Sequence, residues 1–246
     1  MNQTPQVQIV ETIADTEAMS AFFRQVWADG PEVVPFDLAL AAQHVGGYSA
    51  IAKLDGQIVG ASFGFQGTLD ADAGEFAGQR ILHSHVTAAT VAGAGFALKL
   101  HQREWAAERN IEAITWTFDP LVRRNAVFNF EKLGAIGIDY LPNFYGTMTD
   151  AINDGDDSDR LFTYWSVNPT AGATAAEALQ SQTEATVEAI LVELPADIES
   201  LRKTNLNQAR QWRARVREQL EPAIADGYRV TGMLDRQSLV LEKQEN

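Results

Sequence analysis

Two histidines on one predicted strand are the first residues of this sequence that can move a proton. His83 and His85 flank Ser84, and the period of two places both imidazoles on the same face of a strand. An unperturbed imidazole titrates near pH ~6.5, so either histidine can act as a general base. We prefer His85 because it lies nearer to the glycines that follow. Ring packing, or a hydrogen bond to Ser84 or a backbone carbonyl, is the structural alternative, and two histidines alone indicate a metal site only weakly.

A glycine-containing turn follows that strand and leads into a predicted helix. Backbone N–H groups at a helix N-terminus have no acceptor within the helix and attract anions such as a pyrophosphate. Close packing of the helix on the strand explains the glycines as well. The candidates for binding such an anion are the turn and the first helical residue: Ala92, Gly93, Ala94, Gly95 and Phe96.

The remaining elements place these residues in an α/β chain. Asp55-Gly56 is typical of a type I′ turn and predicts a hairpin of strands 48–54 and 57–65. This antiparallel hairpin disfavours a dinucleotide-binding fold, which also needs a third small residue and a downstream acid. Other strands are predicted over 81–90, 114–118, 136–141 and 160–167. Helices are predicted from Asp15 or Thr16 onward, over 38–45 and over 96–109, and one more contains Asn125 and Glu131.

The order of elements over 7–167, with the segments 92–100 and 118–134, resembles the acetyl-CoA-binding core of the GNAT acyltransferases. This resemblance implies an α/β (α+β) fold with a mixed, mostly antiparallel sheet flanked by helices. It also implies acetyl-CoA as co-substrate and direct transfer of the acetyl group to an amine. We expect a GNAT-like domain over 1–168, a linker over 169–185, and a C-terminal β-α-β-β extension over 186–246 that packs on the first domain.

The same resemblance assigns residues to the cofactor. Backbone amides at Val86, Thr87 and Ala88 would polarise the thioester carbonyl. Asn125 resembles the asparagine that binds the pantetheine arm, although it lies two residues from the usual position, and Asn129 is the next candidate. The sequence departs from the family at Thr90, where a basic or amide residue is usual.

Further departures and assignments concern the acid and the acceptor. The family often has a proton-donating tyrosine where this chain has Phe130, and Tyr145 is a candidate to replace that donor, as are Tyr140 and water. Asp119 follows a predicted strand and can serve as a base or, equally, cap the next turn. The loop 143–159 resembles that of a GNAT branch with a long C-terminal extension, which makes Tyr145 and Asp159 candidates for contact with the substrate.

A cluster of arginines lies on a long C-terminal helix, which is predicted over about 198–221 and closed by Pro222. Arg210, Arg213 and Arg217 share one helical face beside an apolar strip. A salt-bridged face against acidic residues or a second subunit is the favoured interpretation. The alternative is an anion site.

Composition limits the possible partners and surroundings. Nineteen basic and thirty-three acidic residues give a net charge of −14, which disfavours nucleic acid and anionic membranes as partners. The chain has no cysteine, which excludes disulfides and thiolate chemistry and fits a cytoplasmic protein. We expect a small-molecule amine acceptor and no metal, and a homodimer stays open. A non-catalytic module that binds acyl-CoA or another anion is the alternative function, and a different nucleotide binder is the third.

Overall fold

Two units make up the chain, and the division falls inside two strands. The computed structural model describes residues 4–27, 33–146, 156–168 and 189–243. The first unit contains the described residues up to Thr115 together with Ser166–Asn168, and the second contains Trp116–Trp165 and the described residues of the C-terminal part.

The first unit holds a sheet in the order β1-β2-β3-β4 followed by the start of β5. Neighbouring strands are antiparallel except β4 and β5, which are parallel. Its elements are β1 Gln6–Ile9, α1 Ile13–Val26, α2 Phe36–His44, β2 Tyr48–Leu54, β3 Gln57–Thr68, a short 3-10 helix Ala71–Phe76, β4 Arg80–Ala89, α3 Ala94–Ala107 and β5 Ala113–Phe118.

Local sequence explains where several of these elements begin and turn. Thr12 caps α1 by accepting the backbone N–H of Asp15 at 3.1 Å, so the helix starts earlier than predicted. The predicted hairpin is confirmed, because Asp55 and Gly56 both adopt positive φ, 50° and 77°. Helix α1 buries Met19 and Phe23 in a core cluster that also contains Phe63 of β3. That core covers one face of the sheet.

The second unit holds the end of β5 and the strands in the order β7-β6-β9-β10-β8. Strand β6 is antiparallel to both β7 and β9. Strand β10 is antiparallel to both β9 and β8. Its elements after β5 are α4 Arg123–Ala126, a π-helical turn Val127–Lys132, β6 Ile136–Leu141, β7 Arg160–Ser166, β8 Ile190–Glu193, α5 Ile198–Thr204, α6 Leu206–Ala225, β9 Tyr228–Leu234 and β10 Ser238–Lys243.

Strand β9 joins the C-terminal segment to β6 within the second unit. Gly137 of β6 pairs with Val230 of β9. A Cβ atom on Gly137 would lie 3.0 Å from both the Cβ of Val230 and a methyl carbon of Leu161, so only glycine permits this approach without a shift. The C-terminal segment therefore shares a sheet with residues of 116–165.

The C-terminal elements follow the predicted β-α-β-β order, with two differences in the helix. Asn205 interrupts it and caps α6 by accepting the N–H of Gln208 at 3.1 Å. Pro222 was predicted to close the helix, and this is wrong, because α6 continues to Ala225. A proline near a helix end removes only one backbone donor. The predicted linker 169–185 lies outside the described residues, and the domain boundary at 168 stays a prediction.

No helix among the described residues is long and apolar enough to cross a membrane.

Candidate functional site

Strand β4 is irregular at the histidines. One edge of β4 pairs with β3, and the other edge pairs with β5 for only part of its length. Its register against β3 shifts between Phe63 and Phe65, so that Gly64 faces the bulged part of β4. A Cβ on Gly64 would lie 2.8 Å from the carbonyl oxygen of His83, which explains the glycine. The parallel pairing with β5 covers Ile81–His83. Beyond His83, the edge of β4 that faces away from β3 has no strand partner among the described residues of the first unit.

Both histidines lie at this irregular part of β4. Nδ1 of His83 is 3.1 Å from the Thr115 hydroxyl, and the ring of Phe65 lies 5.2 Å from that of His83 and 6.2 Å from that of His85. His83 is half-buried and His85 is exposed. Burial, with smaller contributions from His85 and Lys99, lowers the pKa of His83 from 6.5 to about 4. His83 is therefore a neutral imidazole at pH 7, while His85 is the one open to solvent.

The three residues whose amides are assigned to the thioester follow the histidines within β4. Val86 and Ala88 direct their side chains into buried surroundings. The hydroxyl of Thr87 is 2.7 Å from that of Ser62 on β3. Their side chains thus anchor this part of β4, and backbone groups on its unpaired edge are the ones available to a ligand.

A buried polar cluster beneath β4 was missed by the sequence analysis. Lys99 Nζ donates to Ser84 Oγ at 2.9 Å, and Gln102 Nε2 donates to Ser62 Oγ at 2.8 Å and Ser84 Oγ at 3.0 Å. All four side chains are buried. Burial lowers the pKa of Lys99 from 10.5 to about 7. The available signal was polar residues three apart on α3, beside the apolar Leu98 and Trp105.

The glycine turn forms the N-terminus of α3. Gly93 has φ 88° and precedes the helix, and its carbonyl accepts the first helical hydrogen bond, from Ala97 N–H at 2.9 Å. Ala92 and Gly93 are exposed. Thr90 donates both its N–H and its hydroxyl to the carbonyl of Val59, at 2.9 and 3.3 Å. Thr90 therefore ties the turn to β3, and the backbone at 92–96 is left as the candidate anion-binding surface.

In the second unit Asp119 belongs to a buried cluster of four charges. Arg213 donates to both oxygens of Asp119 at 2.8 Å, and Arg202 also pairs with Asp119. Asp156 accepts from Arg202 at 3.1 Å and from Arg213 at 3.0 Å. The four side chains are at most 8% exposed.

These contacts decide how Asp119 can act. Burial alone raises the pKa of Asp119, but the hydrogen bonds and charges of Arg213 and Arg202 outweigh it and hold the pKa well below the usual range. Asp119 also accepts the N–H of Leu121 at 3.0 Å, which is the predicted capping contact. Its role as a base stays a prediction, and this geometry disfavours it because a strongly paired carboxylate is a weak proton acceptor.

The favoured interpretation of the arginine face agrees with these ion pairs. Arg213 pairs as described, and Arg217 binds Asp159 and Asp157, with nitrogen–oxygen distances of 2.5 and 2.7 Å. Carboxylates of this chain therefore hold two of the three arginines that an anion site would need. Asp159 is fully buried and also accepts from Tyr140, so its predicted contact with a substrate stays a prediction that burial disfavours.

The other predicted residues of the second unit lie in different surroundings. Tyr145 is 49% exposed, and its hydroxyl is 3.2 Å from that of Thr117 on β5. Asn125 is partly buried in α4 and its role toward pantetheine stays a prediction. Phe130 is a core residue, with its ring 5.9 Å from that of Phe118 in an edge-to-face contact.

The two units thus group the predicted residues differently. The first brings together the histidines, the amides of β4 and the glycine turn. The second joins Asp119, Asp159 and Tyr145 to a network whose arginines lie far away in the sequence. No group of three or more histidine, aspartate or glutamate side chains suited to a metal occurs in the described ranges.

Solved structures show which class of fold this is. YncA of Salmonella typhimurium, solved with its cofactor acetyl-CoA, matches with a TM-score of 0.52 at 13% identity, over 69% of this chain and 98% of that one. A GNAT-family acetyltransferase from Streptococcus pneumoniae matches with a TM-score of 0.50 at 14% identity, over 66% and 99%. The ribosomal-protein-S18-alanine N-acetyltransferase of Escherichia coli gives 0.50 at 15%, over 69% and 97%.

These likenesses confirm the predicted fold: the chain has the fold of the GNAT acetyltransferases. No protein-family model matches the sequence, and a search of curated proteins gives no match.

Proposed function

We propose that this protein is an acetyl-CoA-dependent N-acyltransferase that transfers an acetyl group to an amine. One observation carries the proposal: within the GNAT fold, β4 runs through an exposed glycine turn into the N-terminus of the fourteen-residue helix α3. That arrangement offers backbone donors to a pyrophosphate. The match to YncA, a structure that holds acetyl-CoA, agrees with it.

Backbone groups, rather than cations, would hold the cofactor phosphates at this turn. The positive φ of Gly93 opens the turn, and a Cβ there would meet no other atom within 4 Å. The first lysine of α3, Lys99, is buried and donates to Ser84. The N–H of Ala94 donates to the carbonyl of Val91 at 3.4 Å. The residues therefore fit acetyl-CoA through the other amide donors at 92–96, with an affinity lower than a turn reinforced by a basic side chain would give.

The reaction needs a proton acceptor, stabilisation of the carbonyl oxygen and a proton donor. A neutral amine attacks the thioester carbon, and the negative charge that develops on the carbonyl oxygen is stabilised by those backbone N–H groups of Val86–Ala88 that lie on the unpaired edge of β4. The nitrogen loses a proton to His85, while His83 stays neutral at pH 7, with its Nδ1 3.1 Å from the Thr115 hydroxyl. The C–S bond then breaks, and the thiolate takes a proton from Tyr145 or water.

The experiment joins cofactor binding to turnover. We expect acetyl-CoA to raise the melting temperature, with NAD and ATP as controls; ligand at about 100 times its Kd adds ~2.7 kcal/mol. Release of CoA is then followed with a panel of amines. H85Q should lower kcat at least ~100-fold without changing the Kd for acetyl-CoA. H44Q, at the exposed end of α2, is the matched control and should not change either quantity.

Three other results would contradict the proposal in different ways. Binding of acetyl-CoA with no CoA release for any amine would favour a non-catalytic acyl-CoA-binding module. Stabilisation by NAD or ATP alone would favour another nucleotide binder. Full activity in H85Q would remove His85 as the base.

A further inference from the structure

A tight turn, Asn143–Gly146, presents Tyr145 at the surface of the second unit. Asn143 adopts a left-handed backbone with φ 45°, and the N–H of Gly146 donates to its carbonyl at 2.9 Å. The Tyr145 hydroxyl lies 3.2 Å from that of Thr117, on the strand β5. The guanidinium of Arg160 lies 5.2 Å from the centre of the Tyr145 ring, so the phenol is positioned by Arg160, by Thr117 and by the turn that carries it.

Two buried residues immediately before β7 hold the backbone of this turn. Ser158 accepts the N–H of Tyr145 through its hydroxyl at 2.8 Å and the N–H of Phe144 through its carbonyl at 3.2 Å. The carboxylate of Asp159 accepts the N–H of Asn143 at 2.9 Å. Ser158 and Asp159 are both fully buried. The orientation of the Asp159 carboxylate therefore fixes one end of the turn.

Arg217 of the C-terminal helix α6 is the cation that orients this carboxylate. Its Nε donates to Oδ2 of Asp159 at 2.8 Å, and its Nη2 donates to Oδ1 at 2.5 Å. Tyr140 donates its hydroxyl to Oδ2 at 2.5 Å. Burial by itself raises the pKa of Asp159, but the bonds from Arg217, Tyr140 and Asn143 outweigh it and lower that pKa. Without the guanidinium a buried carboxylate would lose its charge or its geometry.

We propose that Arg217 is a positioning residue for Tyr145: through Asp159 and the turn Asn143–Gly146 it holds the phenol beside β5 as the proton donor of acetyl transfer. The C-terminal extension then contributes to the reaction through the side chain of Arg217. This side chain orients Tyr145 and does not itself contact the substrate. The catalytic part of this inference rests on the proposed function, whereas the positional part stands on the contacts alone.

A double-mutant cycle tests the catalytic part. R217Q and Y145F should each lower kcat by about tenfold, with an unchanged KM for acetyl-CoA, because a displaced and a deleted proton donor are equivalent. The double variant should be no slower than Y145F. R217K, which keeps the charge, should recover part of the rate. Multiplicative losses in the double variant would overturn the proposal.

The matched control is R215Q. Arg215 is also on α6, but its side chain is 61% exposed and its ion pair with Glu193 is long, 3.8 Å. R215Q should leave kcat and KM unchanged. If R217Q does not fold by circular dichroism, R217K and D159N replace it, and wild-type kcat in both would overturn the proposal.

A spectroscopic measurement separates this proposal from the proposed function. The chain has five tyrosines, so protein labelled with 3-fluorotyrosine gives a small ¹⁹F spectrum in which Y145F identifies the Tyr145 line. We expect R217Q to shift and broaden that line and R215Q to leave it in place. An unmoved line in R217Q would overturn the positioning role whatever the activity. A moved line with no CoA release for any amine would uphold the positional part and reject acetyl transfer.

Discussion

Lys99 shows at the scale of one residue how a buried polar group changes stability. Its ammonium lies beneath β4, donating to Ser84, and burial lowers its pKa from 10.5 to about 7. A lysine with a lowered pKa binds fewer protons in the folded state than in the unfolded state between these two values. Stability therefore rises with pH across this window, opposite to the usual trend of a surface lysine with a carboxylate partner.

We expect the free energy of unfolding of the wild type to increase from about pH 7 to pH 9 because Lys99 loses the cost of burying a charge. The K99M variant, similar in length and uncharged, should be more stable than the wild type near pH 7, and the difference should shrink toward pH 9. Urea unfolding at a series of pH values measures both. A constant difference would show that Lys99 is fully charged in the folded protein.

At the scale of elements, local rules predict some features of this fold well. Asp55-Gly56 specifies the hairpin because two consecutive positive φ angles suit few other residue pairs. The bounds of β6, Ile136–Leu141, agree with the prediction because apolar and turn residues alternate there clearly. The prediction of one long helix was wrong at two residues. Asn205 ends the first helix and caps α6, and α6 continues past Pro222.

The ionic part of the candidate site could not be predicted from sequence because its partners are distant along the chain. Asp119 and Arg213 are 94 residues apart, and Asp159 and Arg217 are 58 apart. Composition shows an excess of acid and a basic face, but neither says which carboxylate meets which guanidinium. The histidines and the glycine turn could be proposed from sequence because their chemistry is encoded within fourteen consecutive residues, His83–Phe96.

The glycine turn gives a prediction about an element and its ligand together. G93V should destabilise the protein by about 1–2 kcal/mol, because valine is strained at φ 88°. It should also weaken acetyl-CoA binding by distorting the N–H groups at the start of α3. G56V, at φ 77° in the β2–β3 hairpin, is the control: it should cost similar stability and leave the Kd unchanged. Equal Kd values for both variants would place the cofactor elsewhere.

The buried ion cluster gives a prediction about the attachment of α6. R213Q should cost about 3–5 kcal/mol, because it removes the guanidinium that pairs with both Asp119 and Asp156 and leaves these buried carboxylates short of one cation. Exposed R215Q on the same helix should change stability by no more than about 0.5 kcal/mol. Chemical denaturation of both variants measures the contrast. A small loss in R213Q would mean that water reaches the cluster.

At the scale of the whole molecule, the two units respond to acid through different groups. In the first unit the pKa of His83 falls from 6.5 to about 4, so the unfolded state binds more protons between these values and stability is lost as pH falls through that window. In the second unit the pKa of Asp119 lies well below 3.8. The contribution of Asp119 to the free energy of unfolding is therefore present above pH 3.8 and is lost only as the pH falls below that value.

We therefore expect acid to weaken the first unit before the second. Hydrogen exchange, converted to free energies of opening, should show peptides of β4 and α3 losing protection near pH ~5, where peptides of α6 and β9 still keep theirs. H83Q should remove the early loss, and H44Q, an exposed histidine of α2, should not. Simultaneous loss in both units, unchanged by H83Q, would show instead that His83 is protonated in the folded state and that its burial has no effect on acid stability.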